Sequence, residues 1–170
     1  VVKEMSSSYP AWLQIRDRRE LFDGTAALAA ERFNLASGGE AQFAQGLFVS
    51  GEFFSILGVR SALGRTLGPA DDRRGGGRDG PVAVISHDFW QRRFGGSPGV
   101  LGQILHLDSV AFTIVGVTSP GFFGIDVGRP TADGCVHHLD APRTPTRGDL
   151  GDGERAARRV HHQERVLRHD

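Results

Sequence analysis

Residues 81–124 read PVAVISHDFWQRRFGGSPGVLGQILHLDSVAFTIVGVTSPGFFG, and they contain the clearest signals of secondary structure in the chain. The apolar run at 82–85 is typical of a central strand that is buried on both faces. Ser86 is suited to cap the helix that follows, and Gly95-Gly96 is suited to end it. Three aromatic side chains of that helix can reach the core: Phe89, Trp90 and Phe94. The first half of the stretch therefore predicts a buried strand followed directly by a helix.

The second half of the stretch predicts a β-hairpin. Strands at 103–107 and 110–117 flank the two-residue connection Asp108-Ser109. If this turn is of type I′, Ser109 must adopt a positive φ, which is unfavourable for a residue other than glycine. The apolar residues that alternate along the two strands are Leu105, Leu107, Phe112 and Ile114.

Upstream of this stretch, the sequence predicts a second hairpin and two helices. Strands at 25–34 and 41–49 are joined by Ser37-Gly38-Gly39-Glu40. A helix is expected from Ser8 to Leu21, with Pro10 in its first turn. A short helix is expected at 51–57, capped by Ser50 and ended by a glycine.

The segment 60–80 is rich in glycine and charge, which predicts a long exposed loop. The run 73–78 reads RRGGGR, but a phosphate-binding P-loop needs a lysine between a strand and a helix, and none is present. Asp71, Asp72 and Asp79 could gather a cation, yet their spacing is not that of a calcium loop. We therefore expect a solvated acidic loop.

The overall composition restricts the possible classes of protein. With 170 residues, 39% of them hydrophobic, the chain can bury one core and needs only one structured domain. Its 20 basic and 20 acidic residues balance, so no global field favours nucleic acid. Cys135 is the only cysteine and indicates no compartment. No apolar run approaches the ~20 residues that cross a bilayer.

The last part of the chain, 133–170, differs in composition from the rest. It contains no aromatic residue and five of the seven histidines. Such a segment buries too little apolar surface to offset its ordering entropy. Three interpretations remain open: a reading-frame change near Asp133 in a GC-rich gene, a natural disordered tail, or a metal site. The candidate metal ligands would be Cys135, His137, His138, His161 and His162, although they lack the spacing of a zinc site.

A search for catalytic residues nominates none. In the predicted structured part, His87 and His106 are the only bases that titrate near neutral pH, and no nucleophile motif or dinucleotide fingerprint accompanies them. We expect both histidines to be structural or solvent-exposed. The sequence thus predicts no catalytic, cofactor-binding or metal-binding residue.

The motifs quoted above resemble the extracytoplasmic core domain of MacB-type, FtsX-like ABC transporter permeases. In that family a strand, a helix ending in FWQRRFGG and a hairpin ending in FTIVGV follow one another. The resemblance continues upstream through VSGEFFSILGVRSALGRTL at 49–67 and, more weakly, through SYPAWLQIRDRRELFDG at 8–24. It implies a MacB-like periplasmic core domain at 1–132, incomplete, followed by the tail at 133–170.

The expected fold is α+β, a mixed or antiparallel sheet of hairpins with short helices packed on it and an irregular C-terminal tail. The resemblance implies a fragment of a permease subunit of the cell membrane, whose extracytoplasmic domain transmits ATPase-driven movement to a substrate or partner in export. The implied partners are an ABC ATPase, reached through membrane helices absent here, and a second permease copy. Alternatives are a secreted binding module and a small hydrolase or metal-binding protein that uses the histidine-rich tail.

Overall fold

The computed structural model describes residues 2–6, 24–36, 40–73, 77–108, 110–122, 135–138 and 165–169. In these ranges it contains the strands β1 Val2–Ser6, β2 Gly24–Asn34, β3 Phe43–Val49, β4 Ser61–Gly64, β5 Val82–Ile85, β6 Ile104–Leu107, β7 Val110–Thr118, β8 Cys135–His138 and β9 Arg165–His169. The helices are α1 Phe53–Ile56 and α2 His87–Phe94, with short 3₁₀ turns at Pro69–Asp71 and Pro98–Val100. No helix in the described ranges has the length and hydrophobicity of a membrane-spanning segment.

The predicted unit of buried strand and helix is confirmed. All four residues of β5 are buried, because Ala83 and Ile85 pack in one apolar cluster and Val82 and Val84 in the other. In the sheet, β5 lies between β7, to which it is parallel, and β8, to which it is antiparallel. The Ser86 hydroxyl accepts a hydrogen bond from the Phe89 amide at 3.1 Å, as an N-cap does. Gly95 ends α2 in the left-handed conformation, with φ 60°. Local sequence signals therefore set both ends of α2, and its buried Phe89 packs with side chains of the sheet.

Both predicted hairpins are also confirmed. β2 pairs antiparallel with β3 from Leu28–Val49 to Asn34–Phe43, and β6 pairs antiparallel with β7. In the second turn Asp108 has a positive φ of 49°, as both central residues of a type I′ turn do. Ser109, for which we expected a positive φ in a turn of this type, lies outside the described residues, and that expectation stays a prediction. Asp108 tolerates this conformation better than most residues because a short polar side chain can form a local or nearby hydrogen bond.

The strands form one sheet with the order β1-β9-β2-β3-β8-β5-β7-β4, and β6 also pairs with β7. Most neighbours are antiparallel, but β3–β8 and β5–β7 are parallel. The sheet is therefore mixed, and the predicted α+β class is confirmed. β8 and β9 lie within the tail, for which we predicted no strands. The predicted helix from Ser8 to Leu21 lies outside the described residues.

Two apolar clusters cover the sheet. One contains Phe33 and side chains of β5, β6, β7 and α2. The other contains Phe53 and Phe54 of α1, packed with side chains of β2, β3 and β5. Both clusters thus contain side chains of the β2–β3 hairpin and of later strands. Apolar packing therefore does not divide the described domain into two halves.

Two local predictions were wrong. The segment 60–80 is not a featureless loop, because it contains β4 and a 3₁₀ turn. Ser50 does not cap α1, whose N-cap position is occupied by Glu52. Instead, the buried Ser50 hydroxyl accepts a hydrogen bond from the Ala27 amide of β2 at 3.0 Å. In both places a contact with a distant part of the chain replaces the structure that local sequence favours.

Candidate functional site

The most developed polar arrangement in the described part of the chain is formed by Arg65, Asp71 and Asp79, which we call the Arg65 clasp. Arg65 follows β4, and its Nη1 and Nη2 donate hydrogen bonds to Asp71 Oδ2 at 2.7 Å and Oδ1 at 2.9 Å. Such a two-bonded pair of guanidinium and carboxylate is strong and orientation-specific. Asp71 Oδ2 also accepts a hydrogen bond from the Gly68 amide at 2.9 Å. The clasp therefore closes the segment from Arg65 to Asp71 into a compact loop.

Burial and charge divide the clasp into a strong and a weak pair. Asp71 is only 4% exposed, whereas the side chains of Arg65 and Asp79 are 45% and 53% exposed. Arg65 Nη2 lies 3.3 Å from Asp79 Oδ2. The hydrogen bonds to Asp71 raise the pKa of Arg65 above its usual value, although burial acts in the opposite direction. Arg65 therefore remains charged wherever the protein is folded, and Asp71 has a permanent cationic partner.

The backbone of the clasp lies directly on β7. The Arg65 amide donates a hydrogen bond to the Val115 carbonyl at 3.0 Å. A Cβ atom added to Gly116 would collide with the backbone carbonyl oxygen of Arg65. Only glycine allows two backbones to approach this closely. The position of the clasp on the sheet is consequently fixed by main-chain contact as well as by charge.

Asp72 connects the clasp to the β2–β3 hairpin. Its Oδ1 accepts a hydrogen bond from the Gly51 amide at 2.8 Å. Gly51 lies immediately after Ser50, which is bonded to β2 through Ala27. Two hydrogen bonds and the chain between Ser50 and Gly51 therefore connect β2 with the segment that lies on β7.

The prediction of a solvated acidic loop was wrong for Asp71 and Asp72, whereas Asp79 is exposed. Asp71 is buried against Arg65, and Asp72 is bound to the backbone of Gly51. Within the described ranges no group of three or more His, Cys, Asp or Glu side chains is arranged to hold a metal ion. The clasp thus uses its carboxylates to join parts of the fold. The run at 73–78 lies partly outside the described residues.

The two histidines considered as bases lie on different elements. His87 is in the first turn of α2, where its ring makes an edge contact with Trp90 and its Nδ1 lies 3.7 Å from Asp88 Oδ1. His106 is on β6, opposite Ala111 of β7. The expected structural role of both histidines remains a prediction.

The candidate metal ligands of the tail are placed only in part. Cys135, His137 and His138 belong to β8, which pairs with β3 and β5. His161 and His162 lie outside the described residues. The metal-site interpretation, the frame change and the natural tail therefore all remain predictions, as does the domain boundary after residue 132.

Sequence reasoning missed the clasp. An available signal was the six-residue spacing of Arg65 and Asp71, because opposite charges on either side of a tight turn can pair. The glycines around them instead favoured an open loop.

We expect the Asp71→Ala variant to lower the free energy of unfolding by about 2 kcal/mol, because it removes hydrogen bonds from a charged group and from the Gly68 amide. Asp79→Ala is the matched control, since it removes only an exposed ion pair worth less than about 1 kcal/mol. Urea unfolding of both variants measures the difference. Equal effects would show that the buried pair contributes no more than the exposed one.

The family described as MacB-like periplasmic core domain matches residues 3–139. The chain belongs to this family. The matched range contains the Arg65 clasp, both hairpins and α2, and the resemblance to MacB-type permeases is confirmed. The MacB-like domain is thus an ABC transporter permease domain by family, with a fold built around the mixed sheet.

Curated relatives match a shorter part of the MacB-like domain. The macrolide export ATP-binding/permease protein MacB of Burkholderia thailandensis is 32% identical over 71 residues, which cover 42% of this chain and 10% of the relative. The probable syringafactin export ATP-binding/permease protein SyfD of Pseudomonas syringae pv. tomato is 34% identical over the same number of residues, with the same coverage. The matched part therefore spans about a tenth of these relatives.

Solved structures share the fold of the MacB-like domain. The periplasmic region of MacB from Actinobacillus actinomycetemcomitans aligns with a TM-score of 0.62 at 10% identity, covering 98% of this chain and 66% of that one. The extracellular domain of YknZ, a noncanonic ABC-type transporter from Gram-positive bacteria, aligns with a TM-score of 0.59 at 10% identity, covering 98% and 74%. At this identity the likeness concerns the fold alone.

Proposed function

We propose that this chain is the extracytoplasmic domain of an ABC transporter permease subunit and transmits ATPase-driven movement to a substrate or partner outside the membrane. The observation that carries the proposal is the family match over residues 3–139. The curated relatives are named as export proteins that combine ATP-binding and permease functions. Transport in the outward direction is accordingly part of the proposal.

The partners proposed for this domain follow from the same relatives. Because the match spans only a tenth of their length, the ATPase and the membrane helices would belong to other parts of the protein or to other subunits. The proposed location is the outer side of the cell membrane. An ABC ATPase would act on the domain through the membrane helices, and a second permease copy would complete the transporter.

The domain would perform mechanical work without catalysis of its own. Transmission of movement requires a body that keeps its shape under load. The mixed sheet supports this role, because two apolar clusters pack against it and the Arg65 clasp fixes the segment after β4. The charged groups of the clasp are bound to one another and to the backbone, which stiffens the fold.

The test uses the full-length permease with its ATPase in proteoliposomes. A donor dye is attached to Arg78→Cys, at an exposed turn of this domain, in a Cys135→Ser background, and an acceptor is placed on the lipid headgroups. We expect energy transfer to change when ATP is added. A variant of the ATPase that binds but does not hydrolyse ATP is the control for turnover. Unchanged transfer during measured ATP hydrolysis would refute the transmission of movement.

A further inference from the structure

The β2–β3 hairpin is joined to the group formed by β4, β5, β6 and β7 through one strand, β8, while its other edge pairs with β9. In the strand order β8 lies between β3 and β5, so β3 makes no backbone ladder with the group formed by β4, β5, β6 and β7. The apolar clusters fill the space between the two parts, but apolar packing is not directional. Polar contacts can therefore determine the angle between the hairpin and this group.

One such contact lies at the tip of the hairpin. The Asn34 amide donates a hydrogen bond to Asp108 Oδ1 at 2.9 Å, and the Asp108 amide donates one to the Asn34 carbonyl at 2.9 Å. The two residues are 74 positions apart in sequence. Asp108 has a positive φ of 49°, which a residue other than glycine adopts at some cost. The turn between β6 and β7 is thus held against the end of β2 by a reciprocal pair.

A second contact lies at the opposite end of the same hairpin. There the Gly51 amide donates to Asp72 Oδ1 at 2.8 Å, and Ser50 is bonded to Ala27 in both directions. A Cβ atom on Gly51 would collide with the backbone of Gly68, so the two chain segments are in direct contact. Asp72 follows the Arg65 clasp, which is seated on β7.

The two contacts share their chemistry and differ in position. In each, an aspartate from outside the hairpin accepts a hydrogen bond from a backbone amide at one end of it, an arrangement that charge makes stronger than a neutral hydrogen bond. Ala27 and Asn34, which mark the two ends on β2, are about 23 Å apart along an extended strand. Attachment at two points this far apart opposes both sliding and rotation of the hairpin.

We propose that Asp72 and Asp108 are two latches that make the β2–β3 hairpin and the β4–β7 group move as one rigid body. Their role in transport rests on the proposed function, because a domain that transmits movement must not absorb it internally. The latches themselves are a property of the fold and can be tested on this chain without a transport assay.

Hydrogen exchange followed by mass spectrometry on the 170-residue chain tests the latches. In the wild-type protein we expect amides of β2 and β3 to exchange together with those of β5 and β7. In Asp72→Ala and Asp108→Ala we expect the hairpin amides to exchange at least about tenfold faster, while protection of β5 and β7 falls much less. The double variant should loosen the hairpin more than either single variant.

Controls separate the latches from general destabilisation. Asp79→Ala removes the exposed carboxylate of the Arg65 clasp, which pairs with Arg65 and not with the hairpin, so hairpin exchange should remain as in the wild type. Asp72→Asn and Asp108→Asn keep an acceptor oxygen and should retain most of the protection. If an alanine variant fails to fold, its asparagine counterpart supplies the comparison, with an expected acceleration that is smaller but still confined to the hairpin.

Two results would overturn the proposal. Equal acceleration of hairpin and β5–β7 amides would mean that the aspartates stabilise the whole fold and do not couple two parts of it. No acceleration in any variant would mean that apolar packing alone sets the angle. Either result leaves the transport proposal standing, since that is decided by energy transfer in the full-length permease.

Discussion

The Gly116→Ala variant is expected to lose about 3 kcal/mol or more of its free energy of unfolding, because the new methyl group would collide with the backbone carbonyl oxygen of Arg65. A flexible side chain could move aside, but this oxygen belongs to a segment whose amide is hydrogen-bonded to Val115. The collision could be avoided only if the Arg65 clasp moved away from β7. Urea or thermal unfolding monitored by circular dichroism measures the loss.

Gly68→Ala is the matched control for this substitution. Gly68 belongs to the same segment and has an extended backbone, with φ −137°, and a Cβ atom there would meet nothing within 4 Å. The free energy of unfolding of the Gly68→Ala variant should differ from that of the wild type by no more than about 1 kcal/mol. It should increase if the backbone tolerates alanine without strain. Equal stability of the two alanine variants would contradict the described contact between Gly116 and Arg65.

The second large effect is expected for Phe53→Ala, which should lower the free energy of unfolding by about 3–5 kcal/mol. The Phe53 side chain is fully buried on α1. Its ring makes edge contacts with Phe54 and Phe122 at centroid distances of 5.3 and 6.4 Å. The α1 helix has one turn and cannot close over the cavity by itself, so the loss includes both transfer and cavity energy.

Phe43→Ala provides the comparison for the same change of side chain at an exposed position. Phe43 is 48% exposed at the tip of the hairpin, where the guanidinium of Arg32 lies 3.9 Å from its ring centroid. Loss of this cation–π contact should cost about 1 kcal/mol or less. Equilibrium unfolding in urea distinguishes the two, and a Phe53 variant as stable as the Phe43 variant would show that the cluster around α1 is loosely packed.

The sequence predicted those elements whose signals are local. A continuous apolar run, an N-cap serine and a C-terminal glycine pair specify β5 and α2 within fifteen residues, and alternation around a short turn specifies β6 and β7. These signals depend on neighbours in the chain and hold in any fold that uses the elements. The same local reasoning led to the family resemblance that the match over residues 3–139 confirms.

The contacts that close the fold could not be read in the same way. The pairs Asn34–Asp108 and Gly51–Asp72 join residues far apart in sequence. Ser50 resembles a helix cap, yet its hydroxyl binds β2. Asp71 lies in a glycine-rich segment that favours an exposed loop. It is nevertheless buried, because its carboxylate binds the Arg65 side chain. In each case the partner is chosen by tertiary structure.

Composition of the tail likewise gave no indication of β8. Its four residues include two histidines and a cysteine, and they pair with β3 on one side and β5 on the other. β8 is held in the sheet by backbone hydrogen bonds to a strand on each side, and nearly every residue type can form such bonds. β5, in contrast, is also held by its apolar side chains. Hydrophobicity is a poor guide to a strand that is held as β8 is.

The position of β8 has a consequence for the order in which the protein can be completed during synthesis. Gly46 of β3 and Ile85 of β5 both pair with Cys135, so the facing edges of these two strands have no partner until β8 has been synthesised. Until the ribosome has released that part of the chain, two strand edges in the middle of the future sheet are open to other molecules. The pairing of β8 with β3 and β5 is therefore expected to form late and slowly.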